Sequence, residues 1–339
     1  MSYKEQKQRL LSLLKEERVD DARESHSLVE LATRIGGINQ RTLRRWLAQW
    51  INAGIIEKVG QGKATRYRHK NPLGSLVFLN GLDKDLRSAL LNQLRDLWTH
   101  NSTAIEGNTL TLGDTHFVLE EGLTISGKPL KDHQEVIGHA KAIELLYKSL
   151  NEPISENLLF HLHKAVLTND IADIYKPAGQ WKNETNGTYA ITADGEQTFI
   201  EYAYPIHVPE LMARFIEEIN GIKTKTLTIH NAHLYYAKIH MMFVHIHPFW
   251  DGNGRIARLI ANIPLLKAGL PPLVISQQTR RAYIQTLANC QINMGRLEPS
   301  TKTYLDSDEL VDFENFCLAA YTSTIQLIDN AFTQQKKRD

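Results

Sequence analysis

The sequence predicts a mainly α-helical protein with a small α+β module at its N-terminus. Three observations point that way. From about residue 80 onward, apolar residues recur at helical spacing through one segment after another. One stretch, 177–206, breaks that period with β-formers around Asn-Gly and Asp-Gly pairs, which predicts a hairpin. The first 70 residues read as helix, turn, helix and basic hairpin, and hold fifteen Lys and Arg against eight Asp and Glu, whereas the remainder holds 24 against 30. A basic unit joined to an acidic body implies two jobs, one of them facing an anionic partner.

The 339 residues suggest two or three domains, with 42% apolar residues to supply a core and 23% charged residues to solvate the surface. The expected boundaries are a first domain at 1–70, a linker at 71–81, a helical body at 82–330 and a frayed tail at 331–339. Only Cys290 and Cys317 occur, and the start "MSYKEQKQRL" carries no apolar signal segment, so a reducing, cytoplasmic location is expected. No apolar run approaches the ~20 residues of a membrane helix, which argues against a membrane partner.

In the first domain, "SLVELATRIG" (27–36) is a short amphipathic helix and Asn39 can cap the next one. "QRTLRRWLAQWINAGII" (40–56) puts Leu43, Trp46, Leu47, Trp50 and Ile51 on one face, with Arg41, Arg44 and Arg45 near its start. "EKVGQGKATRYRH" (57–69) follows as a hairpin bearing Lys63 and Arg66. This order resembles a winged helix-turn-helix module, which implies DNA contacts through Arg41, Arg44, Arg45, Lys63 and Arg66. Docking or dimerisation is the competing use. Trp46 and Trp50 lie on the apolar stripe and are expected in the core.

The body opens with a long helix over 82–108 ending at Gly107, followed by helices over 132–150 and 155–168, the last capped by Ser155. After the hairpin, helices resume through "VPELMARFIEEINGI" and "HLYYAKIHMMFVHI" and continue to about 330.

Within the body, "HPFWDGNGRIAR" (247–258) concentrates the chemistry. Pro248 ends the preceding helix, so His247 sits at a helix exit. The glycines allow unusual backbone angles, and "RIARLIANIPLLKAG" starts a new helix. Backbone amides of 252–254 would therefore converge at a helix N-terminus, an anion site suited to phosphate. Arg255 and Arg258 share one face near that positive end, a poor arrangement unless an anion answers them. A polyphosphate is the expected anion, with Asp251 holding a divalent metal against it. Neither a Walker A loop nor a GxGxxG turn is present. A base beside a nest for a metal-bound pyrophosphate is equipment for nucleotidyl transfer to a hydroxyl.

These twelve residues match the pattern HxFx[D/E]GNGRxxR at every specified position, and the chain resembles the Fic family. The resemblance covers roughly 75–295. It implies a helical core with a short β-hairpin flap, and transfer of AMP from ATP to a Ser, Thr or Tyr hydroxyl of a target protein. His247 would take the hydroxyl proton and Asp251 would hold Mg²⁺. Gly252, Asn253 and Gly254 would form the anion hole, Arg255 and Arg258 would bind the β- and γ-phosphates, and Phe249 would anchor the loop.

"STAIEGNTLT" (102–111) is similar to the family's inhibitory pattern [S/T]xxxE[G/N] through Ser102, Glu106 and Gly107. The resemblance implies that Glu106 pairs with Arg258 and blocks the γ-phosphate site, as in the family's self-inhibited group. "TRRAYIQTLANCQINMG" (279–295) resembles the adenosine-contacting helix, which assigns Tyr283 to the nucleotide, with Leu287 beside it and Gln291 where several relatives carry Asn. The flap is expected to pair with a target's backbone by strand addition, and "YP" stands where the family usually has "PP".

The histidines at 161, 163, 230, 233, 240 and 245 lack the spacing and the Cys or carboxylate partners of a zinc site, and are expected as core or interface residues. The expected partners are ATP, a target protein that could be the chain itself, DNA through the first domain, and a second copy in a homodimer. Two other functions fit the same residues. One is removal of AMP from a modified protein, with Glu106 positioning a water. The other is a DNA-binding regulator that senses nucleotide without turnover, against which His247 speaks. Kinase or phosphocholine transfer fits less well, because the anion-hole sequence GNGR is intact.

Overall fold

The computed structural model describes residues 3–15, 26–36, 38–52, 56–60, 62–69, 76–167, 177–191, 195–300 and 307–338. The chain divides into two compact units, Met1–Gly74 and Ser75–Asp339.

The first unit contains α1 (Tyr3–Lys15), α2 (Leu28–Ile35), α3 (Gln40–Asn52), β1 (Ile56–Val59) and β2 (Arg66–His69). Helix α2 begins at a capping box: Ser27 Oγ accepts the Glu30 amide and Glu30 Oε2 accepts the Ser27 amide. Asn39 Oδ1 accepts the Arg41 amide at 2.8 Å, which fixes the start of α3. The strands pair antiparallel with Ile56 opposite His69, and His26 adds an isolated bridge to Tyr67. Leu10, Leu31, Leu43, Trp46, Leu47, Trp50 and Ile56 form the core, so both tryptophans are packing residues. Arg41, Arg44 and Arg45 are exposed on α3, and Arg66 pairs with Glu30 at 3.5 Å. Lys63 lies in the turn Gly62–Ala64, and its side chain is outside the described ones. Helix α1 was not expected from the apolar period.

Among its described residues the second unit is helical apart from one hairpin. It contains α4 (Lys84–Ile105), α5 (Leu112–Glu121), α6 (Leu130–Ser149), α7 (Glu156–Val166), β3 (Gly187–Ile191), β4 (Gln197–Glu201), α8 (Val208–Gly221) and α9 (Ala232–Ile246). Then follow α10 (Asn253–Ile260), α11 (Ile263–Lys267), α12 (Arg280–Met294) and α13 (Ser307–Lys336). Helix α9 packs against α8, α10, α11 and α13, and its buried residues run round the whole helix from Tyr236 to Ile246. That burial explains its nearly unbroken apolar sequence.

The hairpin pairs Tyr189 with Phe199, and Ala190 and Ile200 turn inward onto Ala288 of α12. Asp194, in the expected turn, lies outside the described residues. Among the described residues no helix is long and apolar enough to cross a membrane.

Three expectations are corrected. Leu76, Phe78, Leu79 and Leu82 are buried in the body's core, so residues 76–81 are not linker. The tail is not frayed where it is described. Helix α13 reaches Lys336, Gln335 accepts the Asp83 amide at 2.8 Å, and Arg338 pairs with Asp85. The helix expected after the motif breaks at Ala261–Asn262, because Pro264 at the start of α11 cannot donate to the preceding turn. Buried Asn262 spans the break, donating to the Arg258 and Leu273 carbonyls and accepting the Leu273 amide.

Candidate active site

His247 caps the C-terminus of α9 in the left-handed conformation (φ 53°, ψ 59°), the one non-glycine residue with positive φ among the described residues. A residue held there costs backbone energy, which marks the position as one the surroundings enforce. Its Nδ1 donates to the Val244 carbonyl at 3.1 Å, so Nε2 is left as the acceptor. The imidazole lies flat on the Tyr202 ring, with centroids 3.7 Å apart and planes 3° apart. Burial, reinforced by the nearby Lys182 ammonium, pushes its pKa down to about 3, so the ring is neutral at physiological pH. The ring is thus neutral and fixed in orientation, with Nε2 open to accept a hydrogen bond from a hydroxyl.

The turn after it is held from several sides. Phe249 is fully buried and stacks on His163 with centroids 3.8 Å apart. Asn253 Oδ1 accepts the Phe249 amide at 2.9 Å while its Nδ2 donates to the Phe249 carbonyl at 2.8 Å. The Asn253 side chain therefore staples the turn, and only its backbone is free to face an anion. His163 Nδ1 accepts the Gly179 amide and its Nε2 donates to the Asp251 carbonyl at 3.0 Å. From the segment before the hairpin, the Lys182 amide donates to the Pro248 carbonyl and Asn186 Nδ2 to the Phe249 carbonyl. Lys182 Nζ donates to Asn186 Oδ1 at 2.6 Å, and burial pushes that ammonium's pKa down to about 7.

Gly252 (φ 76°) turns the chain into α10, whose first amides have no preceding carbonyl to bond. Asp251 stands beside this end with its side chain 68% exposed and Arg255 Nη2 3.6 Å from its carboxylate. Arg255 is itself buried. Its Nη1 lies 3.6 Å from Glu135 Oε1, and its Nε has no partner among the described residues. A buried guanidinium with loose, partial pairing leaves room for a further anion.

Arg258 is 2% exposed. Its Nη2 donates to Glu106 Oε1 at 2.6 Å and to the Ser102 carbonyl at 2.8 Å, and its Nε to Ser102 Oγ at 3.0 Å. The same Glu106 carboxylate oxygen lies where it would be 2.5 Å from any Cβ added to Gly254. Glu106 thus occupies the N-terminal cradle of α10 as well as the arginine. Gly107 (φ 102°) provides the left-handed turn that ends α4 just past this carboxylate. Arg280 Nε fixes that end by donating to the Ile105 carbonyl at 2.6 Å.

Tyr283 and Gln291 are brought to the site, but not as surfaces for a base. Tyr283 is 1% exposed and its hydroxyl lies between Arg258 Nη1 (3.1 Å) and His240 Nε2 (2.9 Å). Gln291 is buried, donates to the Val244 carbonyl at 3.3 Å, and reaches the Tyr202 hydroxyl. It supports the base and its stacking partner. Leu287 is buried beside them.

Sequence reading missed Tyr202, Lys182, Asn186, Glu135 and the positioning roles of His163 and His240. Tyr202 stands two residues before the "YP" that departs from the family's usual "PP". His161 and His230 are exposed, unlike the buried His163, His240 and His245, and among the described residues no group of three or more potential metal ligands forms.

Comparisons with known proteins agree with this geometry. Residues 153–265 match the model of the Fic/DOC family. The chain is similar to protein adenylyltransferase fic-1 of Caenorhabditis briggsae, 33% identical over 250 residues, covering 71% of this chain and 46% of that protein. It is 32% identical over 213 residues to protein adenylyltransferase Fic of Drosophila melanogaster, covering 62% of this chain and 40% of that protein. The chain thus spans less than half the length of these curated relatives. Among solved structures, a Fic domain containing signaling protein from Bacteroides thetaiotaomicron superposes with a TM-score of 0.63 at 27% identity, over 76% of this chain and 96% of that one. The family match, the fold and the motif together show that the chain carries a Fic domain of the Fic/DOC family.

Proposed function

We propose that this protein transfers AMP from ATP to a Ser, Thr or Tyr hydroxyl of a target protein, and that Glu106 holds the activity in check. The observation that carries the reading is the position of the Glu106 carboxylate, on Arg258 and against Gly254, where a terminal phosphate would otherwise be received. The relatives' names, protein adenylyltransferase, support the reaction type.

In this reading His247 Nε2 takes the proton of the target hydroxyl as its oxygen attacks the α-phosphorus. The bond from that phosphorus to the bridging oxygen breaks, pyrophosphate leaves, and AMP remains esterified to the target. Amides at the start of α10 and the Arg255 and Arg258 side chains receive phosphate oxygens. The exposed Asp251 carboxylate beside them fits a Mg²⁺ ion, which typically takes one or two carboxylates plus substrate phosphates. When bound, Mg²⁺ would neutralise charge on those phosphates. The hairpin exposes Tyr189, Ile191 and Phe199 and follows the segment tied to the motif, which supports a role in holding the target chain.

For the first unit, helix order, hairpin and the exposed Arg41, Arg44 and Arg45 support a winged helix that contacts DNA. Cys290 and Cys317 are buried and form no disulfide, which fits a reducing cytoplasmic setting.

The test is mass spectrometry of lysate proteins incubated with ATP, Mg²⁺ and the Glu106→Gly protein. An AMP adduct on hydroxyl side chains, absent with Glu106→Gly/His247→Ala, is the expected result. Absence of any adduct from the single variant sinks the proposal.

A further inference from the structure

We infer that Tyr283, backed by His240, is a positioning residue that keeps the Arg258 guanidinium aimed at the phosphate cradle when Glu106 leaves. The inference rests on the proposed function only in taking Arg258 as a phosphate ligand.

An arginine side chain carries five N–H groups, one on Nε and two on each Nη. In Arg258 the Nε proton goes to Ser102 Oγ, and the two Nη2 protons serve the Ser102 carbonyl and Glu106. One Nη1 proton goes to Tyr283 Oη. Nη1 also lies 3.1 Å from where a Cβ on Gly254 would stand, so its remaining proton is beside the start of α10. A phosphate taking the place of Glu106 would therefore meet one N–H from each terminal nitrogen, the bidentate arrangement that arginine offers to phosphate.

The partners differ in where they come from. Ser102 and Glu106 both belong to the end of α4. Any displacement of that end that withdraws Glu106 also loosens the two Ser102 contacts. Tyr283 is on α12, and among the described residues it is the one side chain outside the α4 end that bonds this guanidinium. It is therefore the anchor that survives release of the inhibitory helix end.

The anchor has a defined direction. Tyr283 Oη accepts from Arg258 Nη1 and is held on its other side by His240 Nε2 at 2.9 Å. His240 is fully buried, where desolvation keeps the ring uncharged. Tyr283 also packs against Phe313 and Phe316, so its ring has no face left for a nucleotide base. Its contribution to nucleotide binding passes through Arg258.

The test uses the full chain carrying Glu106→Gly, with Tyr283→Phe added, a change that removes one oxygen and keeps the packed ring. Calorimetry of ATP and AMP binding is combined with transfer kinetics. The expected result is a rise of about tenfold in Kd and KM for ATP, as for loss of a hydrogen bond to a charged group. The kcat should change less than twofold, because the contact is present before and during reaction. AMP lacks the outer phosphates, so its affinity should stay unchanged. In an Arg258→Ala background, Tyr283→Phe should have no further effect on ATP binding. No loss for ATP, an equal loss for ATP and AMP, or a full loss without Arg258 would overturn the inference. Failure of the proposed function would look different: the parent Glu106→Gly protein would bind ATP yet transfer no AMP, while the binding results stood.

Discussion

Glu106 Oε1 and Arg258 Nη2 meet at 2.6 Å across 152 residues of chain, and the same carboxylate oxygen closes over Gly254 at the start of α10. One side chain therefore covers two separate sources of positive potential, a buried guanidinium and a helix N-terminus. Arg258 is 2% exposed and has no other carboxylate in its ion pairs among the described residues.

That pairing predicts a cost when Glu106 is removed. Glu106→Gly leaves a buried cation without its anion, but the lost carboxylate is 40% exposed and solvent already screens it. A destabilisation of about 1 kcal/mol is expected from these opposing effects. ATP should more than restore it, with about 2.7 kcal/mol at a hundredfold excess over Kd. Thermal unfolding with and without ATP checks this. A variant as stable as the parent chain, with no larger response to ATP, would count against the counter-ion role.

Tyr202 predicts a split between two substitutions. Tyr202→Phe keeps the ring on which His247 lies and should leave the transfer rate near its parent value. Tyr202→Ala frees the imidazole to turn and should lower kcat by roughly tenfold to a hundredfold. Rates in the Glu106→Gly background decide it. Equal loss in both variants would assign the effect to the hydroxyl and its Gln291 contact instead of the stack.

Acid should weaken the fold in a defined window. Burial pushes His139 and His247 down to about 3 and His245 to about 4, from an ordinary 6.5. Between pH 6.5 and those values the unfolded chain binds protons that the native chain refuses. Stability conferred by these groups is present above pH 6.5 and is lost as pH falls. Each contributes about 1.4 kcal/mol per pH unit across its window. Urea unfolding at pH 7 and pH 5 measures the difference. Equal stability at both would show that the three rings are not held neutral.

The parts of the site that were legible in the sequence are those written in adjacent residues. Pro248 marks the helix exit, Gly252 and Gly254 mark the turn and the close approach, and the Arg255–Arg258 spacing marks the cation face. Glu106 was legible through its resemblance to a family pattern, since nothing local names its partner. Tyr202, Lys182, Asn186 and His163 were not legible, because each reaches the motif from a distant segment through a contact that only folding creates. Tyr283 was assigned to the nucleotide from its helix, whereas packing turns it inward onto Arg258. Two elements had signals that went unread. Thr111 and Asp114 form a capping box that starts α5. The apolar run Leu76–Leu79 marks core where a linker was expected.

The exposed arginines of α3 give a further prediction. Arg41→Ala and Arg44→Ala should weaken retention of duplex DNA for all sequences alike and flatten its dependence on salt, by about one unit of log–log slope per lost phosphate contact. Gel shifts over a salt series test this. Unchanged affinity and slope would leave the first unit as a docking module.

In the proposed reaction Glu106 stands where ATP must place its outer phosphates for transfer. The most direct test of that position is transfer of AMP from ATP labelled at the α-phosphate, comparing the unmodified chain, Glu106→Gly, and Glu106→Gly/His247→Ala. A rise on the order of a hundredfold is expected for Glu106→Gly, the scale of restoring a phosphate-stabilising contact in a transition state, with a return to background when His247 is also replaced. Transfer by the unmodified chain that equals the Glu106→Gly rate would contradict it.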